Sequence, residues 1–168
     1  MVNTRGELIG INTAIASRTG SYSGYSFAIP SSIVRKVISD LMEFGVVQRA
    51  VLGVQINDLS AEKAKELNIE KIEGVIVEQI FDGGSAKSSG IEISDVIIKI
   101  GAIKVGKVAE LQEQISKYRP GDAIKVTINR KGKIKEIDVI LKNKSGNTEI
   151  VSNDLVTALG ANLEELSA

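Results

Sequence analysis

Residues 85–98 read SAKSSGIEISDVII: a run of small residues stops at a glycine, turns, and enters an apolar strand. Ala86, Ser88 and Ser89 make a helix thin enough to lie flat against a sheet, and Gly90 suits the left-handed position that ends it. Asp95 stands where its carboxylate can take up turn amides before Val96-Ile97-Ile98 begins a strand. Upstream, AVLGVQI at 50–56 sets an apolar-Gly-apolar turn directly ahead of another strand.

Working outward, Ser60 caps a short helix carrying Ala61, Ala64 and Leu67, and 74–80 is rich in Val and Ile, as strands are. Val108, Leu111, Ile115 and Tyr118 recur at helical spacing until Pro120-Gly121 stops them. Ile124, Val126 and Ile128 alternate with polar residues; after a Lys131-Gly132 turn, so do Ile137, Val139 and Leu141. That is a hairpin with one buried face. The stretch 46–143 therefore reads as an α+β, partly open barrel-like module with two short helices. Before it, ELIGINTAI (7–15) and YSFAIP (25–30) read as strands flanking a Ser/Gly-rich loop at 17–24. Ser31 and Ser32 offer an N-cap for a helix whose apolar face is Val34, Val37, Ile38, Leu41 and Met42, ending at Gly45. A hairpin and one helix bury too little to stand alone. After the module, 142–154 reads as a polar linker. LGANLEELSA (159–168) then matches LGVQINDLSA (52–61) at five of ten positions, as the cut-off start of a second copy would.

The bulk composition excludes several functions. The 168 residues carry 21 basic and 21 acidic side chains, so no net charge points to nucleic acid or an anionic membrane. No apolar run reaches the length of a bilayer span, and no signal peptide is visible. With no Cys there is no disulfide or thiolate metal site. With no His, neither a Ser-His-Asp triad nor an HExxH zinc site can be assembled from this chain. No metal or cofactor is expected.

The two elements at 50–56 and 85–98 together resemble a PDZ domain, a module that captures the C-terminal end of another chain. NTRGELIGINTAI (3–15), YSFAIPSSIVRKV (25–37), EFGVVQRAVLGV (43–54), SAKSSGIEISDVIIKI (85–100) and RPGDAIKVTINRKGK (119–133) resemble, in order, the high-temperature-requirement (HtrA, Do-like) serine proteases. The resemblance implies that 1–45 is the C-terminal remnant of a trypsin-like barrel, 46–143 the first PDZ domain, and 144–168 a linker with the start of a second. It implies that the catalytic Ser, His and Asp lie upstream of Met1. The chain itself would then be a peptide-binding module of an envelope quality-control protease. The alternatives are the parent's endopeptidase activity as the function to assign, or a stand-alone scaffold. Implied partners are C-terminal or unfolded peptide segments and further copies of the chain, trimer-based in the family, with a periplasmic or envelope location. Two positions depart from the family pattern: Gly is usual where Ser94 stands, and Asn-Gly where Gly101-Ala102 stands.

A captured carboxylate needs several N–H donors aimed at one point. Gly53 permits the sharp turn that lets the amides of Leu52, Gly53 and Val54 converge; an ordinary strand-entry glycine is the plainer reading. The ligand would add as a strand along Val54-Gln55-Ile56. Its last side chain would enter a pocket between Leu52, Val54 and Ile56 on one side and Leu111 and Ile115 on the other. Leu111 and Ile115 also fit as plain core, and Gln112 is the groove-facing alternative. The pocket is expected near the surface, so that Ile115→Lys leaves the fold intact. Arg49 can add charge to carboxylate capture or be mere surface. The loop 17–24 matches by position a loop that shapes the parent's substrate pocket, or is a connector. KGKIK (131–135) reads as a solvated hairpin tip.

Overall fold

Apolar residues run unbroken through Val75-Ile76-Val77 and Val96-Ile97-Ile98, as strands do when both faces are covered. The computed structural model of the chain describes residues 1–16 and 25–152 and is centred on these two runs. They lie in β4 (Val75–Ile80) and β5 (Val96–Ile100). Val75, Val77 and Ile97 turn into the larger core, among Leu52, Leu111, Ile115, Val126, Ile128 and Val139. Ile76 and Val96 turn the other way, into a smaller core with Leu59, Ala64, Leu67 and Ile69. Neighbouring residues of one strand thus serve opposite cores, which is the two-residue period of a strand used on both faces.

The chain divides into two compact units, and Gln48–Ile150 is the larger. Its sheet also holds β3 (Val54–Asp58), β6 (Ile103–Lys104), β7 (Ala123–Arg130) and β8 (Lys133–Ile140). The order is β3-β4-β5-β7-β8, antiparallel throughout, with β6 paired to β5. Val51, just ahead of β3, bridges Lys142, just past β8, its N–H donating to the Lys142 carbonyl at 2.8 Å. That bridge joins the two ends of the sheet and makes it a partly closed barrel. The helices are α2 (Ala61–Glu66), α3 (Ser85–Ser89) and α4 (Val108–Ser116). They number three where the module was expected to hold two, and each matches a helical segment read from the sequence, α2 being the one expected to be capped by Ser60. Ser60 Oγ accepts from the Lys63 N–H at 3.2 Å.

The deciding stretch folds as its residues require. Gly90 ends α3 at φ 81°, its N–H returning to the Ala86 carbonyl. Asp95 accepts from the Glu92 N–H at 2.8 Å. Ser94 is held left-handed at φ 72°. Lys131 and Gly132 take φ 52° and 82°, the pair of positive angles that a two-residue hairpin turn needs, and the side chains of the KGKIK tip are exposed. The sequence did not announce Arg130. Its Nε and Nη2 donate to the two carboxylate oxygens of Asp95 at 2.7 Å each, and Nη2 also donates to the Gly90 carbonyl. Asp95 is 1% exposed. Its hydrogen bonds hold the guanidinium even more firmly protonated than usual. The end of β7 is thereby tied to the turn between α3 and β5. Beyond β8, Asn143 organises a turn, its Oδ1 accepting from the Ser145 and Asn147 amides.

The other unit includes Met1–Val47. β1 (Gly10–Ala16) pairs antiparallel with β2 (Tyr25–Pro30), and α1 (Ser31–Phe44) follows. Neither Ser31 nor Ser32 caps α1. The N-cap is Pro30, without a side-chain bond, and both serines are inside the helix because Pro30 ends β2 with its φ already fixed. Ile9, Ile11 and Leu41 are exposed, Val34 is half-buried, and the one buried side chain of α1 is Asp40, paired with Lys36 at 2.7 Å. All buried hydrophobic residues of the described chain lie from Ala50 onward.

Two outcomes follow from these contrasts. In hydrogen exchange on the whole chain, the amides of Val77, Ile97 and Val126 are the slowest class, and those of β1 and β2 exchange orders of magnitude faster. Arg130→Ala leaves the Asp95 carboxylate buried without its cation and lowers unfolding stability in urea by about 3 kcal/mol. Arg130→Lys recovers only part of that, because an ammonium does not replace the two-pronged contact.

Candidate functional site

Gly53 sits at φ 73°, and a Cβ built there would lie 2.6 Å from the Gly84 Cα. A Cβ on Gly84 would in turn meet the Gly53 Cα at 3.0 Å. Two backbones therefore pass where neither can carry a side chain. The contact fixes the turn 51–53 against the N-terminal end of α3, and hydrogen bonds lock it there. Ser85, fully buried, donates from Oγ to the Val51 carbonyl and accepts from the Lys142 N–H, both at 2.8 Å. The Ala86 N–H donates to the Leu52 carbonyl at 2.8 Å, and the Phe81 N–H to the Gly53 carbonyl at 2.9 Å.

Every carbonyl from Val51 to Gly53 is thus engaged on the inner side of the turn. The amides of Leu52 and Gly53 have no acceptor among the described residues. Backbone donors left unpaired side by side at one half-exposed turn can serve a single acceptor together. Val54 adds to them. Because the Phe81 N–H reaches the Gly53 carbonyl, Val54 and Ile80 face each other as a pair without mutual hydrogen bonds. The N–H and C=O of Val54 then point to the outer edge of β3. This edge has no partner strand among the described residues, since β3 ends the sheet. A row of donors leads from the turn into an open strand edge.

The wall across from that edge is α4. Leu111 and Ile115 are buried, and Val54, Ile56, Val108 and Tyr118 pack half-buried against the same core. Leu52, Val54, Ile56, Leu111 and Ile115 therefore belong to one apolar assembly. Ile115 is 8% exposed, so a lysine there would bury a charge, and Ile115→Lys is destabilising rather than harmless. Gln112 is exposed on the helix, and Arg49 is exposed with no hydrogen bond or ion pair among the described residues. The loop 17–24 and the repeat at 159–168 lie outside the described residues.

Three positioning residues escaped the sequence reading. Ser85 is N1 of α3 rather than its cap, so nothing local marks its two-way bond. Lys142 contributes its backbone, and its Nζ reaches the Gly83 carbonyl and Ser88 Oγ at 3.1 and 2.8 Å. Asp58 Oδ1 accepts from the Val108 N–H at 2.7 Å, which ties the start of α4 to the end of β3 and fixes the width between them. One signal existed: Lys107 precedes α4 where a capping side chain belongs and makes no cap bond, so the helix needs an acceptor from elsewhere.

Comparison with known proteins places this geometry among its relatives. The sequence profile of the PDZ domain matches residues 50–141. The chain is 32% identical over 157 residues to the periplasmic pH-dependent serine endoprotease DegQ of Escherichia coli (strain K12), covering 94% of this chain and 34% of that protein. It is 36% identical over 159 residues to a probable periplasmic serine endoprotease, DegP-like, of Chlamydia trachomatis, covering 95% of this chain and 31% of the relative. The chain thus spans about one third of the length of these relatives. Among solved structures, the HtrA-type protease AlgW with decapeptide superposes with a TM-score of 0.62 at 32% identity, over 83% of this chain and 43% of that one. AlgW with tripeptide gives 0.63 at 32% identity, over 84% and 47%.

The double-glycine contact is tested by three alanines. Gly83→Ala meets open space at φ 76° and bears only the left-handed penalty of about 1–2 kcal/mol. Gly84→Ala has an ordinary φ but overlaps Gly53, a strain of about 1–3 kcal/mol. Gly53→Ala suffers both, and its urea midpoint falls below those of the other two. Asp58→Ala removes the acceptor of the Val108 amide, lowers stability by about 1 kcal/mol, and speeds exchange at that amide.

Proposed function

The chain belongs to the PDZ-domain family, and on that premise we propose that it captures polypeptide ends by their free carboxylate, in the groove between β3 and α4. The observation that carries this reading is the pair of unpaired amides at Leu52 and Gly53, followed by the outward N–H of Val54. A carboxylate accepts several such bonds at once, and charge makes each stronger than a neutral one. The ligand backbone continues antiparallel along the open edge of β3. Its last side chain lies between Leu52, Val54 and Ile56 and the α4 residues Leu111 and Ile115. All five are apolar, so the pocket selects an apolar terminal residue. Arg49, exposed just ahead of the turn, adds positive charge to the approach of the carboxylate without holding it.

We infer further that this module serves an HtrA-type serine endopeptidase of the cell envelope. Support comes from the periplasmic serine endoproteases to which nearly all of the chain aligns. It also comes from the AlgW structures, which carry peptides. Residues 1–45 are then the last hairpin and helix of the trypsin-like barrel, 46–143 the first PDZ domain and 144–168 the start of a second. Exposed Ile9, Ile11 and Leu41 fit a unit whose apolar face belongs against other protein. With no His among its 168 residues, the chain supplies binding rather than the general base of proteolysis. Assembly with further copies of itself belongs to the same proposal. The location proposed is periplasmic; no helix of the described residues is long and apolar enough to cross a membrane.

Calorimetry with matched peptides tests the groove. A peptide ending in a free-acid valine binds at around micromolar affinity, about 8 kcal/mol. Amidating its C-terminus removes charged hydrogen bonds of about 1.5–3 kcal/mol each, a loss of tenfold or more. Exchanging the terminal valine for aspartate loses a similar amount. Equal binding of acid and amide would show that the turn holds no carboxylate.

A further inference from the structure

A second concavity, of about 490 Å³, opens where the connection from α2 to β4 faces the β5–β6 turn and the β7–β8 turn. That volume falls in the range of ligand sites. None of the five groove residues lines it. Lys71, Lys99 and Lys104 do, with Glu70, Glu73 and Asn129.

The charges there are arranged unfavourably for an empty cleft. Lys99 and Lys104 are register partners across β5 and β6. Like charges placed directly opposite in a strand pair repel. Neither lysine has an ion pair among the described residues, although Glu70 and Glu73 line the same cleft. Asn129, in the wall, has its Oδ1 out of solvent and without a hydrogen-bond donor. Two adjacent cations call for a carboxylate, while Glu70, Glu73 and the Asn129 oxygen call for N–H donors. A simple dianion answers only the first demand. An acidic side chain on a peptide backbone answers both, since its own amides flank its carboxylate.

We propose that this cleft is a second peptide site, which takes an internal acidic segment with its carboxylates on Lys99 and Lys104 and its backbone N–H groups on the acceptors opposite. The occupant needs no free C-terminus, and the site is independent of the groove beside β3. Lys71, at the rim, adds a third positive charge to its approach.

The test is an NMR titration of the whole chain with Ac-Asp-Glu-Asp-Glu-NH2, which has no terminal carboxylate. The expected result is saturable shifts at 68–73, 98–106 and 129–134, with residues 52–54 unmoved. Affinity falls at least tenfold in the Lys99→Gln/Lys104→Gln variant, and the Ac-Asn-Gln-Asn-Gln-NH2 counterpart does not saturate. That double variant unfolds at the same or a higher urea concentration than the parent, because a repulsion has gone. Succinate binds at least tenfold more weakly than the acidic peptide. The proposal is overturned if the acidic peptide fails to saturate these residues or if the neutral peptide binds equally. It is overturned equally if the double variant keeps its affinity or loses stability, and equal binding of succinate overturns the assignment to a peptide.

Discussion

Two backbones touch where Gly53 meets Gly84, and the rest of the site follows from that contact. With no Cβ on either side, the turn 51–53 can press its carbonyls against the beginning of α3, where Ser85 Oγ and the Ala86 amide receive them. A peptide plane cannot send its C=O and N–H to the same side, so carbonyls held inward leave the amides of Leu52 and Gly53 facing out. The donor-bearing outer face of the turn is therefore a by-product of how its other face is packed. The same serine also takes the Lys142 amide, so one buried hydroxyl fixes the turn and closes the barrel at Val51 and Lys142.

Two further ties keep the groove in shape. Asp58 reaches across fifty residues of sequence to the first amide of α4, which makes the helix and the strand edge move together. The Asp95–Arg130 contact binds the turn after α3 to the end of β7, on which the larger core depends. Asp95 is buried and Arg130 is not fully so. The pair is best understood as fixing one arrangement of the α3–β5 turn, since breaking it leaves an uncompensated charge.

Much of this was legible in the residues. Gly90 ended its helix, Ser60 capped one, Lys131-Gly132 turned a hairpin, and Leu111 and Ile115 recurred at the spacing that put them on one face. Each of these signals is local. The sequence did not reveal long-range partners: Ser85 with Val51 and Lys142, Asp58 with Val108, Arg130 with Asp95. An arginine or an aspartate carries no mark of what it will meet 35 or 50 positions away. The cap at Ser31 or Ser32 failed for a related reason, since Pro30 had already committed the backbone. The run Val75-Ile76-Val77 read only as a strand rich in Val and Ile; which of its residues serves which core depends on what packs on each side of the sheet, and no local signal carries that.

The central claim is that the outward amides of this turn receive a carboxylate. The most direct measurement is the proton shift of the Leu52, Gly53 and Val54 amides in the 15N-labelled chain on saturation with a peptide that ends in a free-acid valine. The account predicts large downfield shifts at these three amides, and slowed hydrogen exchange at the same positions. Binding that moves α4 or the far side of the sheet but leaves 52–54 unchanged in both readouts would contradict it.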